Sequence, residues 1–357
     1  MNLLLWGIFM IEKDIKSKKG HFTYIIFLLS LMGITFYILL KEQNPKILFN
    51  IIKELNPIMI ILGLFSGFLF ICCEALVLRI LLGVLGKKLP FSQALKYSIV
   101  GFYFSSITPS ASGGQPMQVY YMNRDDINIS HSSLAILVTV TIYEIMMVFY
   151  ALIALLFNFK FITDRMCSIY PLLISGFFLN TMLISFMLMA IFSDKIVFKI
   201  TEFFVKFLYK IKIIKDMDKA NAYIVREINE YKKGATLICK NLKAVSKVFL
   251  ITFIQLTATY SIPFFVYKAF GLKEISFWKI IVLQSILNIS VSFIPLPGAV
   301  GASEGAFMLV FKSLFPVELL TSAMLVTRGI SFYIMLFISG IFIIGIHIMQ
   351  KDGKKRF

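Results

Sequence analysis

Ser106-Ile107-Thr108-Pro109-Ser110-Ala111-Ser112-Gly113-Gly114-Gln115-Pro116 interrupts one run of apolar sequence. Phe293-Ile294-Pro295-Leu296-Pro297-Gly298-Ala299-Val300-Gly301-Ala302-Ser303-Glu304-Gly305 interrupts another. Both place proline, glycine and small polar residues where flanking sequence reads as helix. Such backbone survives at membrane depth only where protein buries it or where it lines a wet cavity. A pair of such breaks in corresponding places points to a transport site between them.

Composition establishes the membrane setting. The chain of 357 residues is 59% hydrophobic and only 15% charged, against roughly a quarter charged in soluble domains. Its net charge of +17 does not argue for nucleic acid, because the basic residues fall in blocks between apolar stretches. They read as topology signals and as an attraction for anionic headgroups. Cys72, Cys73, Cys167 and Cys239, with His21, His131 and His347, are too scattered for a metal site or a disulfide framework. No cofactor motif is present. The apolar opening, Asn2 to Met10, has no basic residues before it and no small-residue cleavage site after it, so it fails as a secretory signal. Met10 is an alternative start.

A spanning helix needs about 20 apolar residues. That criterion predicts six full spans, near 22–40, 57–86, 131–158, 170–192, 247–269 and 319–348. Lysines before the first span, after the second, along 195–247 and after the last place both termini in the cytoplasm. Six crossings are then compatible with the two broken segments only if 91–122 enters from the cytoplasmic side and returns to it, while 276–314 enters from outside and returns there. The expected fold is an all-α polytopic membrane protein with six spans and two re-entrant hairpins in an inverted repeat. Aligning Pro109 with Pro297 also aligns Gly113 with Gly301. The expected divisions are a cytoplasmic segment at 1–21, a first half-repeat at 22–158, a loop and fourth span at 159–192, and a basic connection at 193–247. The rest of the second half-repeat follows at 248–348, then a basic tail at 349–357. Within the connection, Phe198, Phe203, Phe204, Phe207, Leu208 and Ile211 recur at helical spacing among lysines, the pattern of an interfacial amphipathic helix.

An ionised side chain at the centre of a spanning helix costs at least about 2.5 kcal/mol, so each one needs a partner or water. Glu304 stands at the start of a returning half-helix, where the helix dipole favours a carboxylate. It is expected to cap that helix, to pair with a cationic headgroup, to bind a proton or to orient Arg328. Arg328 offers a fork suited to phosphate oxygens, or a fixed partner for Glu304. Glu144 lies in the third span beside Tyr143, and Glu74 lies near Arg79 in the second, an alternative ion pair. In the first hairpin the amides of Gly113 and Gly114, with Pro109, Ser110, Ser112 and Gln115, could form a phosphate nest. Arg124 beyond it could meet headgroups, or be neutralised by Asp125 and Asp126. Pro297, Gly298 and Gly301 form the corresponding turn. Gly301-Ala302-Ser303-Glu304-Gly305 matches the G-x-S-x-G pattern, but the strand–turn–helix of a nucleophile elbow is missing from its context. Gly63 and Gly67 match GxxxG and predict close helix packing.

At the broken segments the chain resembles the lysylphosphatidylglycerol synthase transmembrane (flippase-like) family, the membrane part of the multiple peptide resistance factor proteins. The matching residues are Ile107-Thr108-Pro109, Gly113-Gly114-Gln115-Pro116 with Tyr120-Tyr121, Pro295-Leu296-Pro297-Gly298, Gly301, Glu304-Gly305, and Arg328 with Tyr333. The resemblance implies a membrane region that moves an aminoacylated phospholipid between leaflets, joined in full-length members to a cytosolic domain that transfers lysine from lysyl-tRNA. That domain is not expected in this chain. Where the family pattern has a polar amide after the third span's tyrosine, this chain has Glu144, a departure that bears on substrate charge.

The expected function is therefore a lipid translocase of the bacterial plasma membrane, handling phosphatidylglycerol or its lysyl ester. By resemblance it would contribute to resistance against cationic antimicrobial peptides. The expected partners are membrane phospholipid, with no direct nucleic-acid contact, and a homo-oligomer stays open. The alternatives are a lysyltransferase component served by a separate catalytic chain, and a non-catalytic scaffold. No catalytic or metal-ligating residue is expected.

Overall fold

The computed structural model describes residues 53–165, 169–193 and 217–353. The expected span at 22–40 and the phenylalanine-rich run at 198–211 lie outside the described residues. Within them the protein is helical throughout, without a strand. Five segments are long and apolar enough to cross a membrane: Pro57–Val84, Ile129–Phe157, Tyr170–Phe192, Leu242–Ala269 and Val317–Ile346.

Local chemistry sets the ends of these helices. Helix α1 (Pro57–Val84) starts on the Asn56 side chain, which accepts the Ile58 amide at 3.0 Å, with Pro57 in the first turn. It stops at Gly86, whose φ of 82° suits glycine. Helix α2 (Phe91–Ile107) ends because Pro109 forces Thr108 into extended backbone, φ −112° and ψ 146°. Then come α3 (Gly114–Arg124), α4 (Ile129–Arg165) and α5 (Tyr170–Phe192). Helix α6 (Met217–Lys240) is polar and amphipathic. Pro263 splits the next crossing into α7 (Leu242–Tyr260) and α8 (Ile262–Ala269). Helices α9 (Phe277–Val291) and α10 (Ala302–Phe311) form the second hairpin. The last crossing, α11 (Val317–Arg328) and α12 (Ile334–Gly353), runs through a π-helical turn at Gly329–Tyr333.

At 1.5 Å per residue, α2, α3, α9 and α10 are each about 15 to 25 Å long, short of a hydrocarbon core of about 30 Å. None of the four is long enough to cross alone, and among the described residues three candidate crossings, α4, α5 and α7–α8, lie between the two hairpins.

The packing follows the same division. One buried cluster joins α1, the first hairpin and α4; a second joins α8, α9, α10 and α11. Helix α1 packs on α7 and α2. Its glycines form the predicted contact face, since a methyl group on Gly63 would stand 3.2 Å from Ile330 and one on Gly67 3.2 Å from Met335. Helix α5 presses Gly176 onto the Ile289 carbonyl and secures the contact through Asn180, which donates to Ser292 at 2.8 Å. Its outer face, Ile174, Phe178, Met182 and Phe186, repeats every fourth residue and is exposed, as a lipid-facing stripe requires.

Candidate functional site

The two broken segments adopt one backbone. In each, an extended residue precedes proline, Thr108 (φ −112°, ψ 146°) and Leu296 (φ −113°, ψ 143°). Two left-handed residues follow, Ser110 and Ala111 at φ 51° and 53°, and Gly298 and Ala299 at φ 57° and 49°. The left-handed region costs a non-glycine residue about 1 to 2 kcal/mol, so three of these four positions carry strain that the surrounding packing must hold. The two turns pack against each other, and α2 lies along the second.

The turns differ in what they offer. Pro109, Ser110, Ala111 and Ser112 are exposed, whereas Gly113 and Gly114 are buried. The Gly113 amide donates to Thr108 Oγ1 at 2.9 Å, and a methyl group on Gly114 would strike Ser105 Oγ and the Gly101 carbonyl. These two glycines are thus committed to the turn and to helix packing, and the exposed polar groups of the first turn are the hydroxyls. Gln115 is half-buried at the start of α3.

The second turn carries the charge. Glu304 Oε2 accepts the Gly301 amide at 2.7 Å, closing the first turn of α10, and Gly301 takes φ 86° to allow it. Glu304 Oε1 accepts Arg328 Nε at 2.8 Å and the Tyr333 hydroxyl at 2.9 Å. The guanidinium also donates to the Gly298 carbonyl at 3.0 Å and lies over the Phe332 ring, 4.6 Å from its centroid. Arg328 and Tyr333 are five residues apart, which on a regular α-helix would set them roughly 140° apart. The π turn between them, closed by i to i+5 bonds, brings both onto one oxygen. The Arg328 side chain is 14% exposed and that of Glu304 1%, so the cationic partner is the less buried of the two.

A second polar group crosses the first half. Gln118 on α3 donates to Glu74 at 2.7 Å and to the Tyr97 carbonyl at 3.2 Å. Arg79 turns instead to the Leu89 carbonyl at 3.0 Å, so the ion pair suggested by chain proximity does not form. Asn288 on α9 donates to the Tyr260 hydroxyl at 3.1 Å and also bonds Tyr143. Glu144, next to Tyr143, keeps one buried carboxylate oxygen with no hydrogen-bond partner among the described residues.

Beyond the first hairpin, Arg124 is exposed and stacks on Tyr120 at 5.8 Å. Asp125 bonds Lys96, Tyr97 and Gln93 rather than Arg124. Burial opposes ionisation of Asp125, but the Lys96, Tyr97 and Gln93 hydrogen bonds outweigh it and hold the carboxyl below its ordinary value.

The sequence pointed to Glu304, Arg328 and both turns. It missed Gln118 and Asn288, whose signal was an amide in an otherwise apolar helical face. Ser303, the serine of the G-x-S-x-G pattern, sits on α10 and is buried. Among the described residues no group of three histidine, cysteine or acidic side chains could hold a metal.

Comparison with known proteins gives relatives of the same size. The chain is 22% identical over 310 residues to a UPF0104 membrane protein of Archaeoglobus fulgidus, covering 85% of this chain and 91% of that one. It is 22% identical over 262 residues to a UPF0104 membrane protein of Pyrococcus horikoshii, covering 71% and 77%. The model of the lysylphosphatidylglycerol synthase TM region matches residues 24–339. With that match running through both hairpins and the Glu304–Arg328 centre, this multi-pass membrane protein belongs to the lysylphosphatidylglycerol synthase transmembrane-region family.

Proposed function

We propose that the protein moves a phospholipid between the leaflets of the cell membrane, through the space where the two broken segments meet. The observation that carries the reading is Arg328. Its guanidinium, within the last crossing, is held by Glu304 at 2.8 Å and by the Gly298 carbonyl at 3.0 Å. That arrangement fixes the orientation of the guanidinium, and in this reading its remaining N–H groups, with the hydroxyls of Ser110 and Ser112 on the facing turn, are the donors to phosphate. Phosphatidylglycerol or its lysyl ester is the substrate class we favour, on the strength of the family.

Of the three acidic residues, Glu304 is committed to three donors and Glu74 to Gln118. Glu144 is therefore our choice for an ion or proton that couples to movement. The lysine blocks support cytoplasmic termini. The family description also names a synthase, which supports a second reading: a membrane component presenting lipid to a separate lysyltransferase chain.

Headgroup-labelled lipid movement in proteoliposomes tests the first reading, comparing phosphatidylglycerol with its lysyl ester. Movement should be strongly reduced in Arg328→Ala, and more so than in Gln115→Ala. Folded wild type that moves neither lipid overturns translocation. Transfer of labelled lysine from lysyl-tRNA, on adding a catalytic chain, would then favour the second.

A further inference from the structure

We propose that a cavity between α4, α5, α6 and α7 binds an acyl chain of an anionic membrane lipid, at a site separate from the Glu304–Arg328 centre. The cavity has a volume of about 270 Å³ and is lined by Val138, Ile142, Leu188, Ile238 and Val245 among others. None of its lining residues belongs to either broken segment. Thr141 is the one hydroxyl on its wall, and that hydroxyl already donates to the Leu137 carbonyl at 2.7 Å. Water entering such a space finds no polar partners, whereas an acyl chain matches its walls.

The opening faces outward. Phe192, Cys239 and Leu242 line the cavity and are exposed, so its mouth opens at the surface of the bundle. Its α6 wall is fastened in place. The buried carboxylate of Glu227 accepts the Ser130 amide of α4 at 3.2 Å, and the Tyr231 hydroxyl donates to the Ala190 carbonyl of α5 at 3.1 Å.

Charge selects the headgroup. From Lys232 to Lys247 the sequence holds five lysines and no acidic residue. Lys240, Lys243 and Lys247 are exposed on the α6–α7 corner, at the level of the lining residues Leu242 and Val245. A lipid whose tail enters here carries its headgroup into a cationic field, which favours an anionic one.

The test uses the full chain in phosphatidylcholine vesicles doped with phosphatidylglycerol bearing a diazirine on one acyl chain, with crosslinks located by mass spectrometry. Labelling is expected within 138–145 and 188–192. It should exceed that by a phosphatidylcholine probe by at least about five-fold, the ratio that a single lysine gives near an anionic headgroup. In the triple variant Lys240→Gln, Lys243→Gln, Lys247→Gln, the ratio should fall toward one. Ile238→Trp, which fills the cavity, should suppress labelling of both segments. Equal labelling by both probes in wild type overturns the proposal and leaves ordinary annular lipid. Absence of labelling on those segments overturns it too and leaves the cavity to another part of the chain. The lysine variant alters only exposed residues, so it decides the point even if Ile238→Trp fails to fold.

Discussion

Glu304 and Arg328, 24 residues apart in the chain, meet at 2.8 Å with the carboxylate wholly buried and the guanidinium nearly so. Removing one member of a buried pair leaves an uncompensated charge, at a cost of about 3 to 5 kcal/mol. Arg328→Ala and Glu304→Gln should each destabilise on that scale. The double variant should lose less than the sum of the two, because it strands neither charge. Thermal unfolding in detergent, run as a double-mutant cycle, measures the coupling; additive losses would refute it.

Gly298 meets two demands at once, a φ of 57° and a methyl-free approach of the Phe332 ring, which a Cβ would meet at 2.1 Å. Gly298→Ala should therefore destabilise by about 1 to 3 kcal/mol. Phe332→Leu in the same chain should recover part of it, the remainder reflecting the left-handed backbone. Melting temperatures of the two variants separate the contributions.

Where α5 presses on α9, a methyl group at Gly176 would come within 2.2 Å of the Ile289 carbonyl oxygen. Backbone cannot turn aside as a side chain can, so Gly176→Ala should cost more than Gly298→Ala with Phe332→Leu. Gly305→Ala is the control, since nothing stands within 4 Å of that position. It should stay near wild type, or gain slightly in helix propensity.

The pH dependence of stability should carry the mark of Asp125. Its folded-state carboxyl is held below the ordinary value, so its stabilisation is present above the unfolded value and is lost as pH falls through the folded one. Wild type should lose stability below about pH 4, and Asp125→Asn should show a flatter acid limb. Unfolding curves from neutral to acid pH compare the two; identical slopes would remove Asp125 from the account.

Much of the fold was legible because its strongest signals are local. Pro109 ends α2 by forcing the residue before it out of the helix, and the fourth span was read at 170–192, the limits the structure gives it. Partners across helices were less legible. Glu74 had Arg79 nearby in the chain, but packing turned the carboxylate toward Gln118 and the arginine toward Leu89. The tie between Tyr333 and Glu304 was hidden because it needs a π turn, and regular helical spacing puts that hydroxyl on another face. The left-handed residues Ser110 and Ala111 were also unreadable, since neither side chain prefers that backbone.

The twin turns have a consequence for direction. Because both turns share one backbone, a lipid moved as we propose meets nearly the same scaffold at either turn, and the scaffold itself has no forward stroke. Asymmetry enters through the side chains: one turn is tied to an arginine and a glutamate, while the other shows hydroxyls. In the translocation we propose, a net flow must then come from the lipid's own gradient or from an ion, with the protein as a two-way passage that such a gradient rectifies.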